Sequence, residues 1–136
     1  MKLYLPALAL LCLTGCATSR TTPPPRTSVP AARRFESYLL KPSHRRTCPV
    51  TIVREPGVAG SGLNLFLDGD QIARVTVGEV MTVYLKPGRH LLVAKPLFSP
   101  PANVRLQLRS GGATTVHITD RDGNFAMKAV VRTRGP

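Results

Sequence analysis

Leu63-Asn64-Leu65-Phe66-Leu67-Asp68-Gly69-Asp70-Gln71-Ile72-Ala73-Arg74-Val75 sets the structural pattern of the chain. Leu63, Leu65 and Leu67 recur at a spacing of two, which puts them on one face of an extended strand. Asp68-Gly69 then interrupts the run, and a second extended run, Gln71 to Val77, follows. An Asp-Gly pair between two such runs is a tight hairpin signal, because the favoured two-residue turns need positive φ.

The same grammar continues downstream. Gly78-Glu79 turns, and Met81, Val83 and Leu85 then alternate with Thr82, Tyr84 and Lys86. Lys86-Pro87-Gly88-Arg89 has the proline and glycine order of a type II turn. His90 to Lys95 forms a further strand before the loop Pro96 to Pro101. Val104, Leu106 and Leu108 alternate with Arg105, Gln107 and Arg109, and Ser110-Gly111-Gly112 turns. Thr114 to Thr119 and Phe125 to Val131 are strands joined by the turn Asp120 to Gly123. Upstream, Val50 and Ile52 mark the first strand, with Pro49 near its start, where a missing donor is tolerated. Seven or eight short strands at this spacing predict an all-β fold, a small antiparallel sandwich or barrel. The connections are too short for helical crossovers, so parallel pairing is not expected.

The N-terminal third reads differently. Met1-Lys2 is positive, Leu3 to Leu13 is apolar, and Thr14-Gly15 is small, the order of a secretory signal. The apolar run is shorter than the roughly 20 residues a membrane helix needs. Leu13-Thr14-Gly15-Cys16 resembles the lipobox of bacterial lipoproteins. That resemblance implies a signal peptide over 1–15 and a lipid on Cys16. With Ala17 rather than aspartate after the cysteine, it also implies an anchor in the outer membrane, facing the periplasm. Residues 17–34 are rich in Thr, Ser, Pro and Arg and poor in apolar side chains, the composition of a flexible tether. The expected organisation is therefore 1–15 signal, 16–34 lipidated cysteine and tether, and 35–136 β-sandwich. Phe35 to Lys41 fits either a short helix, with Phe35, Tyr38 and Leu39 on one face, or an irregular edge segment.

Charge narrows the partners. The formal net charge is +12, and loss of Lys2 with the signal leaves +11. Such a field attracts anionic partners without specifying them. In an envelope these are lipid phosphates, lipopolysaccharide, peptidoglycan carboxylates or acidic proteins. Arg33, Arg34, Arg45 and Arg46 flank the start of the β region and are candidate docking residues. Aromatic residues do not interleave with the basic ones, which argues against a single-stranded nucleic-acid groove.

Nothing in the sequence assembles a catalytic or metal site. There is no Gly-x-Ser-x-Gly elbow and no His-Glu-x-x-His. Asp120-Arg121-Asp122-Gly123-Asn124 begins like a calcium loop, but position twelve is Val131, so the bidentate ligand is missing. The glycines from Gly57 to Gly62 lack the lysine and helix of a phosphate loop. No metal, no cofactor and no enzymatic activity are expected. Of three cysteines, Cys12 leaves with the signal and Cys16 is the lipid site. Cys48 is left either to bury in a strand or to pair with another chain.

Ile52-Val53-Arg54-Glu55-Pro56, Leu65-Phe66-Leu67-Asp68-Gly69, Val77-Gly78-Glu79 and Leu85-Lys86-Pro87-Gly88-Arg89-His90 follow one another in order. This series resembles the uncharacterised DUF2846-type lipoprotein domains and is similar to PEGA-type surface domains, over roughly residues 47–119. The resemblance implies a prealbumin-like β-sandwich used for binding or scaffolding, with its turn residues structural. The expected function is that of a non-catalytic, membrane-anchored lipoprotein that binds an envelope component or a partner protein. The alternative is a structural lipoprotein of an envelope-spanning secretion or conjugation machine.

Overall fold

The computed structural model describes residues 26–56, 62–121 and 124–133. The strands are β1 (Thr27–Ser28), β2 (Cys48–Arg54), β3 (Leu63–Leu67), β4 (Asp70–Val75), β5 (Glu79–Leu85), β6 (Gly88–Lys95), β7 (Ala102–Leu108), β8 (Gly112–Arg121) and β9 (Asn124–Thr133). They form two sheets, ordered β1-β5-β2-β8-β9 and β4-β3-β6-β7. The chain is therefore the small all-β sandwich that its alternation predicts. Strands β2 to β9 are the eight that the turn spacing marks out.

Alternation becomes burial. Along β3 and β5 every second residue is buried and its neighbours are partly exposed. Ile52, Leu63, Leu65, Ile72, Leu92 and Ile118 meet between the sheets with essentially no exposure. Each contributes about 1.5–3 kcal/mol by leaving water. Asp68 and Gly69 take φ of 50° and 94°, and Leu67 pairs with Asp70, so the β3–β4 hairpin closes through two residues of positive φ. That is the primed turn whose twist matches its strands. Cys48 is 1% exposed and its thiol donates to the Arg109 carbonyl at 3.4 Å, which resolves its two readings in favour of burial.

Two expectations need correction, and one open reading is resolved. First, pairing is not wholly antiparallel. β2 runs parallel to β8, from Val50 opposite Thr114 to Arg54 opposite Ile118, and β1 runs parallel to β5. A parallel pair needs a long crossover. Here the chain between β2 and β8 supplies it by crossing to the other sheet and back twice, through β3-β4 and through β6-β7.

Second, the folded domain starts before Phe35. Thr27 donates to the carbonyl of Gly78, just before β5, Val29 to that of Val80 on β5, and Phe35 to that of Ile72 on β4. Arg34 also bridges Ala73. Residues 27–35 thus strap the open side between the two sheets, and Val29, 1% exposed, plugs into the core. One buried valine and a row of backbone hydrogen bonds offset the polar composition that reads as tether. Cys16 and the residues up to Pro25 lie outside the described residues, as does the signal.

Of the two readings of Phe35 to Lys41, the structure gives a single short 3-10 turn, Ser37–Leu40, on the edge of the domain. Only Leu39 is buried, while Phe35 and Tyr38 are half exposed. Phe35 precedes the turn and is hydrogen-bonded to β4, so it shares no helical face with Leu39.

Candidate functional site

The outer surface of the β4-β3-β6-β7 sheet is the most distinctive chemical feature of the fold. Strand alternation sends Leu92 and Ala94 inward and Arg89, Leu91, Val93 and Lys95 outward along β6. On β7 it sends Leu106 and Leu108 inward and Asn103, Arg105 and Gln107 outward, with exposed Arg109 just beyond. Arg74 is an exposed residue of β4. Arg74, Arg89, Lys95, Arg105 and Arg109 therefore share one face. The acidic residues of this sheet are Asp68 and Asp70, both at the β3–β4 turn. Among the described residues, no carboxylate lies within ion-pair distance of any of the five cations.

The register groups the cations. Arg89 lies opposite Gln107, and Leu91 opposite Arg105. Arg89 and Arg105 are thus diagonal neighbours, a relation that places residues roughly 7–8 Å apart. They flank Leu91, which is 40% exposed, in an open cleft of about 510 Å³ that Gln107 also lines. At the other end of the face Lys95 lies opposite Asn64, which lies opposite Arg74. Lys95 also rests over the Phe66 ring, its Nζ 4.4 Å from the centroid.

Asp68 pins the base of the cleft. Its Oδ1 accepts from the Leu91 amide at 2.8 Å, and its Oδ2 meets His90 Nδ1 at 2.6 Å. His90 Nε2 faces the Lys86 carbonyl at 2.8 Å. The one carboxylate at the cleft is thereby tied to a ring and an amide, and the two guanidinium groups remain directed outward. Paired cations around a small apolar patch can hold phosphate or carboxylate groups carried on a larger molecule.

The sequence-predicted docking arginines do not form one surface. Arg33 is taken up by Glu79 through a two-pronged contact, with Nη1 to Oε2 at 2.8 Å and Nη2 to Oε1, and Nη1 also donates to the Arg74 carbonyl. It fastens the strap to β5. Arg34 belongs to the same strap, half-buried. Arg46 lies at the opposite end, its guanidinium carbon 5.3 Å from the Tyr38 centroid, with Arg45 exposed beside it. The five sheet-face cations escape a reading of sequence runs because they are scattered along the chain. Position parity along each strand is the signal that collects them.

Glu79 is 6% exposed. Burial pushes its carboxyl upward, but hydrogen bonds from Arg33 and Thr76, with the charge of Arg33, hold it below the ordinary 4.5. The hydrogen bond to Glu79 in turn raises Arg33. Arg54, 3% exposed, is drawn below its ordinary value by burial, against the opposing charges of Asp120 and Glu79. Its Nη1 donates to the Val75 carbonyl at 3.0 Å and its guanidinium carbon lies 5.5 Å from the Phe125 centroid. Glu55 accepts from His117 Nδ1 at 2.7 Å and from Arg26 at 3.3 Å. No hydroxyl or thiol is hydrogen-bonded to His90 or His117 among the described residues, and no group of three metal-binding side chains occurs there. No helix among them is long and apolar enough to cross a membrane. No family model, no curated protein and no solved structure matches this chain.

Proposed function

We propose that this chain is a non-catalytic lipoprotein, tethered through Cys16 to the periplasmic face of the outer membrane, and that its basic sheet face binds an anionic envelope component. The observation that carries the binding half is the sorting of charge. Arg74, Arg89, Lys95, Arg105 and Arg109 share one face without a paired carboxylate among the described residues. Phosphates of lipopolysaccharide and carboxylates of peptidoglycan are the matching chemistry in that compartment. The resemblance of Leu13-Thr14-Gly15-Cys16 to a lipobox supports the anchor. Near an anionic surface each cation contributes about 1 kcal/mol, or roughly fivefold in affinity. Replacing Arg89 and Arg105 together by alanine should then weaken binding to either polymer about 25-fold at low salt. Equal binding by that variant and the parent domain would sink the proposed face.

A second reading, a structural subunit of an envelope-spanning machine, is favoured by one observation. Strand β9 ends its sheet, and Val130 and Val131 on it are 41% and 57% exposed. A cross-link installed at Val131 that captures defined protein subunits in native membranes would support it, and capture of polymer alone would exclude it.

A further inference from the structure

The strand registers bring five segments to one end of the sandwich. Val53 of β2 lies opposite Val80, and Arg54 lies beside Ile118 of β8. Arg54 also reaches the Val75 carbonyl at the end of β4, while Leu63 lies opposite Val75 and Asn64 opposite Lys95. Thr27 lies opposite Glu79. The loop from Pro96 to Pro101 therefore projects from the same end at which the N-terminal chain joins the domain. The turns at Asp68-Gly69 and Lys86-Pro87 lie at the other end.

That loop carries the most exposed apolar side chains described in the molecule. Leu97 is 66% exposed and Phe98 92% exposed. Pro96, Pro100 and Pro101 bracket them, which lowers the entropy cost of holding them in one arrangement. Val77, on the β4–β5 turn at the same end, is 37% exposed. Arg74 and Lys95 stand in the row of the sheet behind the loop, Arg74 with its side chain along Gly62 and Lys95 with its ammonium resting one step back over Phe66, so cations lie behind the apolar tip. An apolar tip with cations behind it is the pattern of a segment that lies at the boundary between headgroups and acyl chains. From Cys16 to Arg26 the chain can stretch at most about 35 Å, so an acylated Cys16 keeps this end near the bilayer.

We infer that Leu97 and Phe98 dip into the bilayer that holds the chain, with Lys95 and Arg74 on its phosphates, which fixes the orientation of the domain. The inference rests on the lipid anchor proposed above. It stands the sheets away from the membrane and carries Arg89, Arg105 and Arg109 to the far end of the basic face, toward the periplasm.

The chain contains no tryptophan, so Phe98→Trp places a single indole at the tip. The full chain, isolated from bacterial membranes, is reconstituted into vesicles of phosphatidylethanolamine and phosphatidylglycerol with and without brominated acyl chains. Lys86→Trp, at the opposite end, is the partner variant, and the mass of the N-terminal peptide reports acylation. The expected result is an acylated Cys16 in both variants. The indole of the F98W chain should emit to the blue and be quenched by bromine, at about 5–10 Å below the headgroups. The indole of the K86W chain should stay unquenched. Acylation with solvent-like, unquenched emission from the F98W chain overturns the insertion and leaves the anchor standing. An unmodified Cys16 overturns the anchor and the inference with it.

Discussion

Val29 tests whether the segment before Phe35 is strap or tether. Its side chain is 1% exposed within the core cluster, and its amide donates to Val80 at 3.1 Å. Val29→Ala removes two buried methyl groups' worth of apolar contact, about 1.6 kcal/mol at 0.8 kcal/mol per carbon. The cavity it leaves between the sheet edges raises the loss to about 2–3 kcal/mol. For a domain of this size that lowers the Tm by roughly 8–12 °C. The assay is thermal and urea unfolding of residues 26–136, followed by far-ultraviolet circular dichroism. Ser28→Ala, beside it but exposed, is the matched control and should shift stability by less than about 0.5 kcal/mol. If Val29→Ala behaves like Ser28→Ala, the strap contributes nothing to the fold and the segment is a tether after all.

Further outcomes follow from the same contacts. Glu79→Gln should cost about 2 kcal/mol at neutral pH, because it weakens the hydrogen bonds from Arg33 and the Thr76 amide. The folded carboxyl lies below its ordinary 4.5, so its stabilisation is present above that value and is lost as pH falls through the depressed one. Urea midpoints of parent and variant should therefore converge in acid, and a constant gap down to the acid limit would contradict the assignment. Cys48, sealed in the core, should be inert to thiol reagents in folded residues 26–136 and react on unfolding. Rapid labelling of the folded domain would refute its burial. His90→Ala should loosen the Asp68 turn and the cleft that it pins, read as faster amide exchange at Leu91, while leaving amides on β2 unchanged.

Most of the fold is legible in the sequence because a period of two and glycine-marked turns are local signals. Leu63-Asn64-Leu65 and Asp68-Gly69 specify a hairpin without reference to the rest of the chain. Parallel pairing of β2 with β8 is not local, since strands far apart in sequence carry no mark of each other. Val29 is invisible for a related reason. One valine among prolines and threonines reads as disorder until the groove that receives it is known. The candidate site escapes the sequence for another cause. Counted along the chain, the basic and acidic residues of the middle nearly balance, and the runs Arg33-Arg34 and Arg45-Arg46 stand out instead. In space, alternation sends Arg89, Arg105 and Arg109 to one face, Glu79 goes into the interior with Arg33, and Glu55 sits with His117.

Binding of anionic envelope polymer by the basic sheet face is open to a direct co-sedimentation measurement. Residues 26–136 and an Arg89→Glu/Arg105→Glu/Arg109→Glu variant would be sedimented with purified lipopolysaccharide and, separately, with peptidoglycan sacculi, at low and high salt. The parent domain should sediment with at least one polymer at low salt and be released at high salt, where screening shortens to a few ångströms, while the folded variant stays in the supernatant. A parent domain that stays in the supernatant with both polymers at low salt, or a variant that sediments as well as the parent, would contradict a binding role for this face.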